Sequence, residues 1–528
     1  MRTCLLLVVS ILAIVTTVTT VTTVTTVAAD APRPNVIVIM ADDLGFSDVG
    51  CYGGEINTPV LDGLAAKGMR LTQFTNTGRC CPTRASLFTG LYSHRAGIGH
   101  MVNDRGYPAY LGRLNDRCAT IAELLTPAGY DTLMVGKWHV GTDAPNWPRQ
   151  RGFTRFYGQP TGGGSYFTRK TDRPFVLDDK PYEPTEPEPA TYYKTDDYTD
   201  FALRLLNEQR AGGKPFYLHL CYTAPHWPLH APEADIERYL ATYQDGWDVI
   251  RERRHAKQKA LGLFASDVVL SPRASEAKAW TEVPEKARAD WVRRMAIHAA
   301  MVDIMDRNIG RVVAWLRETG QFDNTLIVFL SDNGASAEVV DRGESGSVIG
   351  AKGSFAGFNQ PWANASNTPF RRWKSIVHEG GIATPFIAHW PTGIPAGRIV
   401  HQVGHVIDVV PTVIDLAGVT YPTAIGDRAL APLDGISLRS VLTTGTVQPH
   451  VPLFWEHEGN RAVRRGDWKL VAQNGKDWEL YNLASDRSEL HDLVKERSEI
   501  AEELITAWQA WAMDVGVVMP NEFKKKAK

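Results

Sequence analysis

The sequence has few cysteines, no excess of charge of either sign and only one long hydrophobic stretch. Six cysteines in 528 residues, five of them beyond the N-terminal segment, are too few and too spread out for a disulfide-built scaffold. A formal net charge of −2 without a basic stripe argues against a nucleic-acid partner. Beyond the N-terminus no run approaches the length of a membrane span, so we expect no stable membrane insertion.

The one hydrophobic stretch lies at the N-terminus. Arg2 precedes an apolar run from Leu5 to Val15, a Val-Thr-Thr tandem continues to Val27, and the small residues Ala28 and Ala29 follow. This order predicts a secretory signal peptide over residues 1–29, with an N-terminal membrane anchor as the alternative. We therefore expect an exported protein, periplasmic or secreted.

Strands alternate with helices through most of the remaining chain. The apolar run Asn35–Met40 is typical of a strand buried on both faces of a parallel sheet. Further strands are predicted at 131–136, 215–220, 325–330 and 385–390, and helices at 58–69, 121–125 and 294–317. The alternation predicts an α/β domain over residues 33–430 with a mostly parallel sheet flanked by helices. Residues 431–528 predict a small α+β domain with an antiparallel sheet and one closing helix.

Polar side chains follow four of the predicted strands. Taken singly, each has an ordinary explanation as a helix cap or a turn. The working residues of such sheets, however, lie just beyond the carboxyl ends of the strands. Polar residues at four equivalent strand ends therefore indicate one site. They are Asp42, Asp43, Lys137, His139, His226, Asp332 and Asn333.

Four of these residues predict a metal site. Asp42, Asp43, Asp332 and Asn333 offer three carboxylates and an amide oxygen, with no thiol or imidazole among them. Hard oxygen ligands suit Ca²⁺ or Mg²⁺ rather than Zn²⁺. Three crowded carboxylates also repel one another unless a cation lies between them.

The most unusual string is Cys80-Cys81-Pro82-Thr83-Arg84, which continues into a predicted helix up to Gly90. Adjacent cysteines in an exported protein are often structural, as a disulfide or as buried thiols. The whole segment, however, resembles the signature of the formylglycine-dependent sulfatases, in which the first cysteine is oxidised to an aldehyde. The segments at 35–45, 136–139, 224–228, 331–334 and 367–374 are similar to further segments of that family.

The resemblance is to the arylsulfatase and alkylsulfatase branch of the alkaline phosphatase superfamily. It implies an alkaline-phosphatase-like fold, with a large mixed, mostly parallel sheet. It also implies a sulfuric ester hydrolase that converts sulfate monoesters into an alcohol and inorganic sulfate. The implied cofactors are Ca²⁺, in preference to Mg²⁺, and formylglycine made from Cys80 by a maturation enzyme, which becomes a required partner.

The resemblance also assigns roles. The implied metal ligands are Asp42, Asp43, modified Cys80, Asp332 and Asn333. The implied catalytic residues are Cys80, Arg84, Lys137, His139, His226 and Lys374. One hydroxyl of the hydrated aldehyde attacks sulfur while His226, helped by Lys374, protonates the departing alcohol. His139 then takes the proton of the second hydroxyl, Arg84 holds the hydrate and Lys137 binds the sulfate.

Two alternatives remain at the level of sequence. A phosphodiesterase or phosphonate monoester hydrolase of the same superfamily can share the aldehyde and the metal. A non-catalytic glycan-binding relative can keep the fold alone. The substrate alcohol also stays open, since aryl, alkyl and carbohydrate sulfates present the same sulfate group.

Overall fold

The computed structural model describes residues 33–184 and 186–523. The predicted signal peptide lies outside the described residues. The strands are β1 (Asn35–Ala41), β2 (Met69–Thr75), β3 (Asp131–Lys137), β4 (Arg155–Gln159), β5 (Val176–Leu177), β6 (Lys180–Pro181), β7 (Phe216–Cys221), β8 (Thr325–Ser331), β9 (Asp341–Gly343), β10 (Ser354–Ala356), β11 (Phe386–His389), β12 (Arg398–His405), β13 (Ala424–Ile425), β14 (Arg428–Ala429), β15 (Leu453–His457), β16 (Asn460–Arg465), β17 (Trp468–Ala472) and β18 (Glu479–Asn482).

Helices separate most of these strands. They are α1 (Pro59–Ala66), α2 (Cys80–Thr89), α3 (Ile121–Leu125), α4 (Lys194–Arg210), α5 (Glu233–Leu240), α6 (Gly246–Ala260), α7 (Glu285–Glu318), α8 (Asn359–Ser366), α9 (Glu379–Ile382), α10 (Val409–Leu416), α11 (Arg439–Thr444) and α12 (Ser498–Val515). Short 3₁₀ helices occur at Gly50–Tyr52, Ala144–Asn146, Pro148–Arg151, Trp280–Glu282 and Val406–Asp408. Among the described helices, none is long and apolar enough to cross a membrane.

Ten strands form one large, mostly parallel sheet in the order β12-β2-β11-β8-β1-β7-β3-β4-β5-β6. Strands β8, β1, β7, β3 and β4 are parallel neighbours, whereas β11 runs antiparallel to both β8 and β2. The predicted fold class, a large mixed sheet flanked by helices, is confirmed. Each of the five predicted strands is present to within one residue at either end.

Strand β1 shows why the sheet is buried on both faces. Ile37 and Ile39 enter the core cluster that includes α1, α4 and α7. Val36 and Val38 enter the opposite cluster, which includes α2, α3 and α10. A strand covered by helices on both sides is apolar at every position rather than at alternate ones.

The predicted helix at 58–69 is wrong at its C-terminal end. Helix α1 ends at Ala66, and Met69 already begins β2. Gly68 lies so close to the sheet that a Cβ there would be 2.3 Å from the Ala388 carbonyl oxygen. The chain turns at this glycine because only a residue without a side chain fits against β11.

The C-terminal part contains a second, four-stranded antiparallel sheet in the order β15-β16-β17-β18. This predicted sheet and the closing helix α12 are both confirmed. Leu504 and Trp508 of α12 share a core with Tyr92 and Val377 of the preceding part of the chain. The domain boundary at residue 430 stays a prediction.

Candidate active site

The carboxyl ends of four parallel strands bring the predicted site residues to one edge of the large sheet. Asp42 follows β1, Lys137 ends β3, His226 comes shortly after β7, and Asp332 follows β8. Strand β1 lies between β7 and β8, and β3 pairs with β7, so these ends are neighbours in space. All four side chains are buried. The sheet therefore collects at one point residues that are up to 290 positions apart in the chain.

The predicted metal ligands form one hydrogen-bonded cluster. The Asp43 backbone N–H donates to Asp332 Oδ1 at 3.2 Å, and Asn333 Nδ2 donates to Asp43 Oδ1 at 2.7 Å. Asp42 Oδ1 and Asn333 Oδ1 are buried without any hydrogen-bond partner. Buried oxygens left without a donor are costly unless they bind an ion. The cluster therefore fits a hard divalent cation.

The carboxylates of this cluster perturb one another. Burial raises the pKa of Asp42, but the positive charges of Lys137, His226 and Arg84 outweigh it and hold the pKa well below its usual range. Burial and the charge of Asp42 raise the pKa of Asp332 well above its usual range. Two carboxylates this close resist full ionisation, and a bound cation would relieve the repulsion.

Cys80 is the first residue of helix α2, and its side chain is almost completely buried. A hydrogen bond from Cys81 lowers the pKa of the Cys80 thiol, and the charges of Lys137 and His139 lower it further against the opposing effect of burial. Within the described residues every cysteine is a free, buried thiol, so the disulfide interpretation of the Cys80-Cys81 pair is not realised.

Arg84 lies one helical turn beyond Cys80 and is fully buried. Its Nη2 contacts Asp332 Oδ2 at 2.8 Å and Asp42 Oδ2 at 3.4 Å, while Nη1 donates to the Lys137 carbonyl at 2.7 Å. The guanidinium thus joins α2, the carboxylates and the end of β3. Its hydrogen bonds and ion pairs are with the carboxylates and the Lys137 carbonyl rather than with the Cys80 side chain.

Two buried lysines contact the cluster from the side of the cavity. Lys137 Nζ donates to Asp42 Oδ2 at 2.5 Å, and Lys374 Nζ lies 2.8 Å from Asp43 Oδ1. Lys374 also lies 3.4 Å from Glu338 Oε2. Both lysines remain charged because these carboxylates compensate for the loss of hydration.

Two histidines lie near Cys80 and Asp43. Burial and the charge of Lys137 lower the pKa of His139 to about 4, and its Nδ1 has no hydrogen-bond partner. His226 Nδ1 is 2.5 Å from the Trp227 carbonyl, and Nε2 is 3.6 Å from Asp43 Oδ2. A proton on Nδ1 satisfies the carbonyl, which leaves Nε2 of His226 on the side of the carboxylate.

A cavity of about 340 Å³ opens above this cluster. Cys80, Lys137, His139, His226 and Lys374 all line it, so the structure brings these predicted residues together around one space. Further lining residues, to which the sequence assigned no individual role, are Arg79, Gly162, Gly163, Arg173, Trp227 and Glu338. All six lie in loops or at a helix start, where no periodic pattern identifies them; the positions of Arg79 directly before Cys80 and of Trp227 directly after His226 were the available signals.

Comparisons with known proteins give the family of the chain. Residues 34–419 match the family model described as Sulfatase, and residues 371–510 match the model described as N-sulphoglucosamine sulphohydrolase, C-terminal. The chain belongs to the sulfatase family. It is thus a type I sulfatase of the alkaline phosphatase superfamily, and it hydrolyses sulfate esters.

Individual relatives extend the match over most of the chain. An uncharacterized sulfatase of Schizosaccharomyces pombe is 35% identical over 94% of this chain and 96% of that protein. The arylsulfatase of Klebsiella aerogenes is 35% identical over 78% of this chain and 93% of that protein. The crystal structure of Ps i-CgsB in complex with k-i-k-neocarrahexaose superposes with a TM-score of 0.69 at 26% identity, covering 94% of this chain and 95% of that chain.

Proposed function

We propose that this sulfatase cleaves sulfate monoesters through a formylglycine hydrate made by oxidation of Cys80. The position of Cys80 carries the proposal: it begins α2 and lines the cavity, where a lysine bound to the carboxylate cluster and an imidazole also lie. A hydroxyl on this side chain would meet a sulfate held by Lys137 and Lys374. Fixed cations stabilise the charge that develops on the sulfuryl oxygens during transfer.

The proposed metal is Ca²⁺, held by Asp42, Asp43, Asp332, Asn333 and the oxidised Cys80. The unpartnered oxygens of Asp42 and Asn333 support this assignment. A bound divalent cation supplies Lewis acidity and positive charge beside the transferring group. Arg84 then acts as a positioning residue, because it ties Asp332 and Asp42 to the helix that carries Cys80.

The two histidines are assigned the proton transfers. His226, in its doubly protonated form, gives its Nε2 proton to the departing alcohol, since Nε2 faces Asp43 and the cavity while the Nδ1 proton is engaged by the Trp227 carbonyl. His139 accepts the proton of the second hydroxyl, since it lines the cavity and its Nδ1 has no other partner. Its removal of that proton would let the aldehyde form again as sulfate leaves.

Sulfated carbohydrates are the proposed natural substrates, with aryl sulfates as convenient substitutes in the assay. The bound hexaose of the similar Ps i-CgsB structure supports this choice, as does Trp227, whose indole lines the cavity beside His226. We also propose that the protein is exported, on the strength of residues 1–29, and that a formylglycine-generating enzyme matures Cys80.

Peptide mass spectrometry of the Cys80 segment, paired with a sulfate-release assay, tests the proposal. We expect the thiol to be replaced by an aldehyde in active enzyme, and we expect the Cys80→Ala variant to lose turnover. Aryl sulfates should be cleaved in preference to matched aryl phosphate diesters. An active enzyme with an unmodified Cys80 thiol, or full turnover by Cys80→Ala, would exclude the formylglycine route.

A further inference from the structure

The wall of the cavity carries a cation that the proposed reaction does not use. Arg173 lines the cavity, and its Nη1 donates to the Gly163 carbonyl. Its backbone carbonyl accepts a hydrogen bond of 2.8 Å from the buried Gln159 side chain, and Gln159 pairs with Lys137 in the sheet register. The backbone of Arg173 is therefore anchored to the sheet one strand away from Lys137, while its guanidinium is held by the Gly163 carbonyl.

Arg173 differs from the other cavity arginine in its lack of a counter-charge. Arg79 lies 3.0 Å from Glu338 Oε1, and Glu338 also accepts hydrogen bonds from Trp227 and Lys374. Across residues 33–184 and 186–523, by contrast, the ion pairs include no carboxylate partner for Arg173. A partly buried cation without a carboxylate favours an anion from outside the chain.

A second basic side chain, Lys194, lies behind the part of the cavity wall that carries Arg173. Lys194 is fully buried, its Nζ donates to the Gly164 carbonyl at 3.1 Å, and it lies 5.2 Å from the centre of the Tyr166 ring. Burial lowers the pKa of Lys194 to about 7, and the positive charges of Arg173 and Lys137 contribute to the shift. The positive charge of Arg173 thus disfavours the protonated form of Lys194, which lies on the other side of residues 162–164.

Glycines keep the wall open at this place. A Cβ on Gly162 would lie 3.2 Å from His139 Nε2 and 3.4 Å from Arg173 Nη1, and a Cβ on Gly163 would lie 3.0 Å from His226 Nδ1. Any side chain would fill the space between the catalytic imidazoles and Arg173. The absence of side chains lets a ligand group approach both the backbone and the guanidinium.

We propose that Arg173 binds a second anionic group of the substrate, a further sulfate or a carboxylate, while the scissile sulfate lies at Cys80. This inference rests on the proposed function and names its substrate class: sulfate esters that carry two negative groups. Arg173 suits the role because its planar fork can donate two parallel hydrogen bonds to either group.

Matched aryl esters test the subsite. Phenyl sulfate carries one anion, whereas 1,3-phenylene bis-sulfate and 3-carboxyphenyl sulfate carry a second anion across the ring. We expect wild-type kcat/KM to be about tenfold to a hundredfold higher for at least one dianion, the range of a charge-assisted hydrogen bond. Arg173→Gln should bring this ratio close to one, and Arg173→Lys should retain part of it. The exposed Lys170, in the same loop, provides the matched control Lys170→Gln, which should keep the wild-type ratio.

Binding to the Cys80→Ala protein, measured by calorimetry with the same three esters, makes the test independent of turnover. A preference for a dianion that disappears with Arg173→Gln supports the subsite even if no ester is hydrolysed, in which case only the proposed reaction fails. Turnover without any preference for a dianion, or a preference that survives Arg173→Gln, overturns the subsite alone. The dianion whose preference depends on Arg173 identifies the second group as sulfate or carboxylate.

Discussion

A buried cluster of charged side chains around Glu379 provides the sharpest stability prediction. Glu379 begins α9, and its carboxylate contacts Lys469 Nζ at 2.8 Å and Arg487 Nη1. Lys469 also contacts Glu489 at 2.8 Å. Burial alone would raise the pKa of Glu379, but the charges of Arg487 and Lys469 hold it well below its usual range. The carboxylate is therefore ionised in the folded protein at neutral pH.

The substitution Glu379→Gln keeps the shape and removes the charge. Lys469 would keep its contact with Glu489, but Arg487, only 6% exposed, would lose its carboxylate partner. Breaking a buried pair in this way costs about 3–5 kcal/mol of unfolding free energy. The unfolding equilibrium constant should accordingly rise by about two to four powers of ten.

Urea denaturation followed by fluorescence measures this loss. The matched control is Glu276→Gln, since Glu276 pairs with Arg372 at 2.9 Å while its side chain is 42% exposed. The control should lose no more than about 1 kcal/mol. The double variant Glu379→Gln/Arg487→Met should recover part of the loss, because it removes the unpaired charge. Equal losses in Glu379→Gln and Glu276→Gln would refute the reasoning.

Three further predictions concern the metal, the cavity and pH. Chelation should abolish sulfate release and lower the melting temperature, and Ca²⁺ should restore both better than Mg²⁺; full activity in protein shown by elemental analysis to be metal-free would contradict the site. Lys374→Met should lower kcat/KM by about 10²–10³-fold, and a loss below about fivefold would remove Lys374 from the sulfate site. Burial opposes the charge on His450, but its 2.9 Å contact with Asp408 prevails and raises the pKa of His450 above its ordinary value. The pair therefore stabilises the fold below about pH 6.5 and loses this contribution as pH rises through the raised pKa. Urea midpoints of His450→Gln should vary less than wild type across that window, and parallel profiles would contradict the assignment.

The part of the fold that could be predicted is the part with a strong local pattern. Strands β1 and β8 are continuous apolar runs, and both were placed correctly. Strands β2 and β12 escaped prediction because Arg70, Gln73 and His401 interrupt their apolar residues. These two strands pair with each other, and β12 forms the edge of the sheet, where Arg398 and His401 are exposed and the apolar pattern weakens.

The candidate site could be predicted where residues follow strands. Asp42 and Asp332 were placed at equivalent strand ends, and the structure brings them into one cluster. Glu338 and Arg173 were not predicted, because they lie in irregular loops whose course depends on distant contacts. The hydrogen bond from Gln159 to the Arg173 carbonyl, for instance, joins the loop to a strand that ends 14 residues earlier.

The sequence alone determined the type of chemistry. The run from Cys80 to Arg84 and the oxygen-rich strand ends predict a nucleophile, a cation and its ligands, because reactivity and ligand type belong to individual residues. Only the tertiary structure decided which charges meet: Arg84 contacts Asp332, 248 positions away in the chain, and Glu338 pairs with Arg79. Arg173 lines the cavity without a carboxylate partner among the described residues. Such pairings depend on strand order and loop path, which local patterns do not encode.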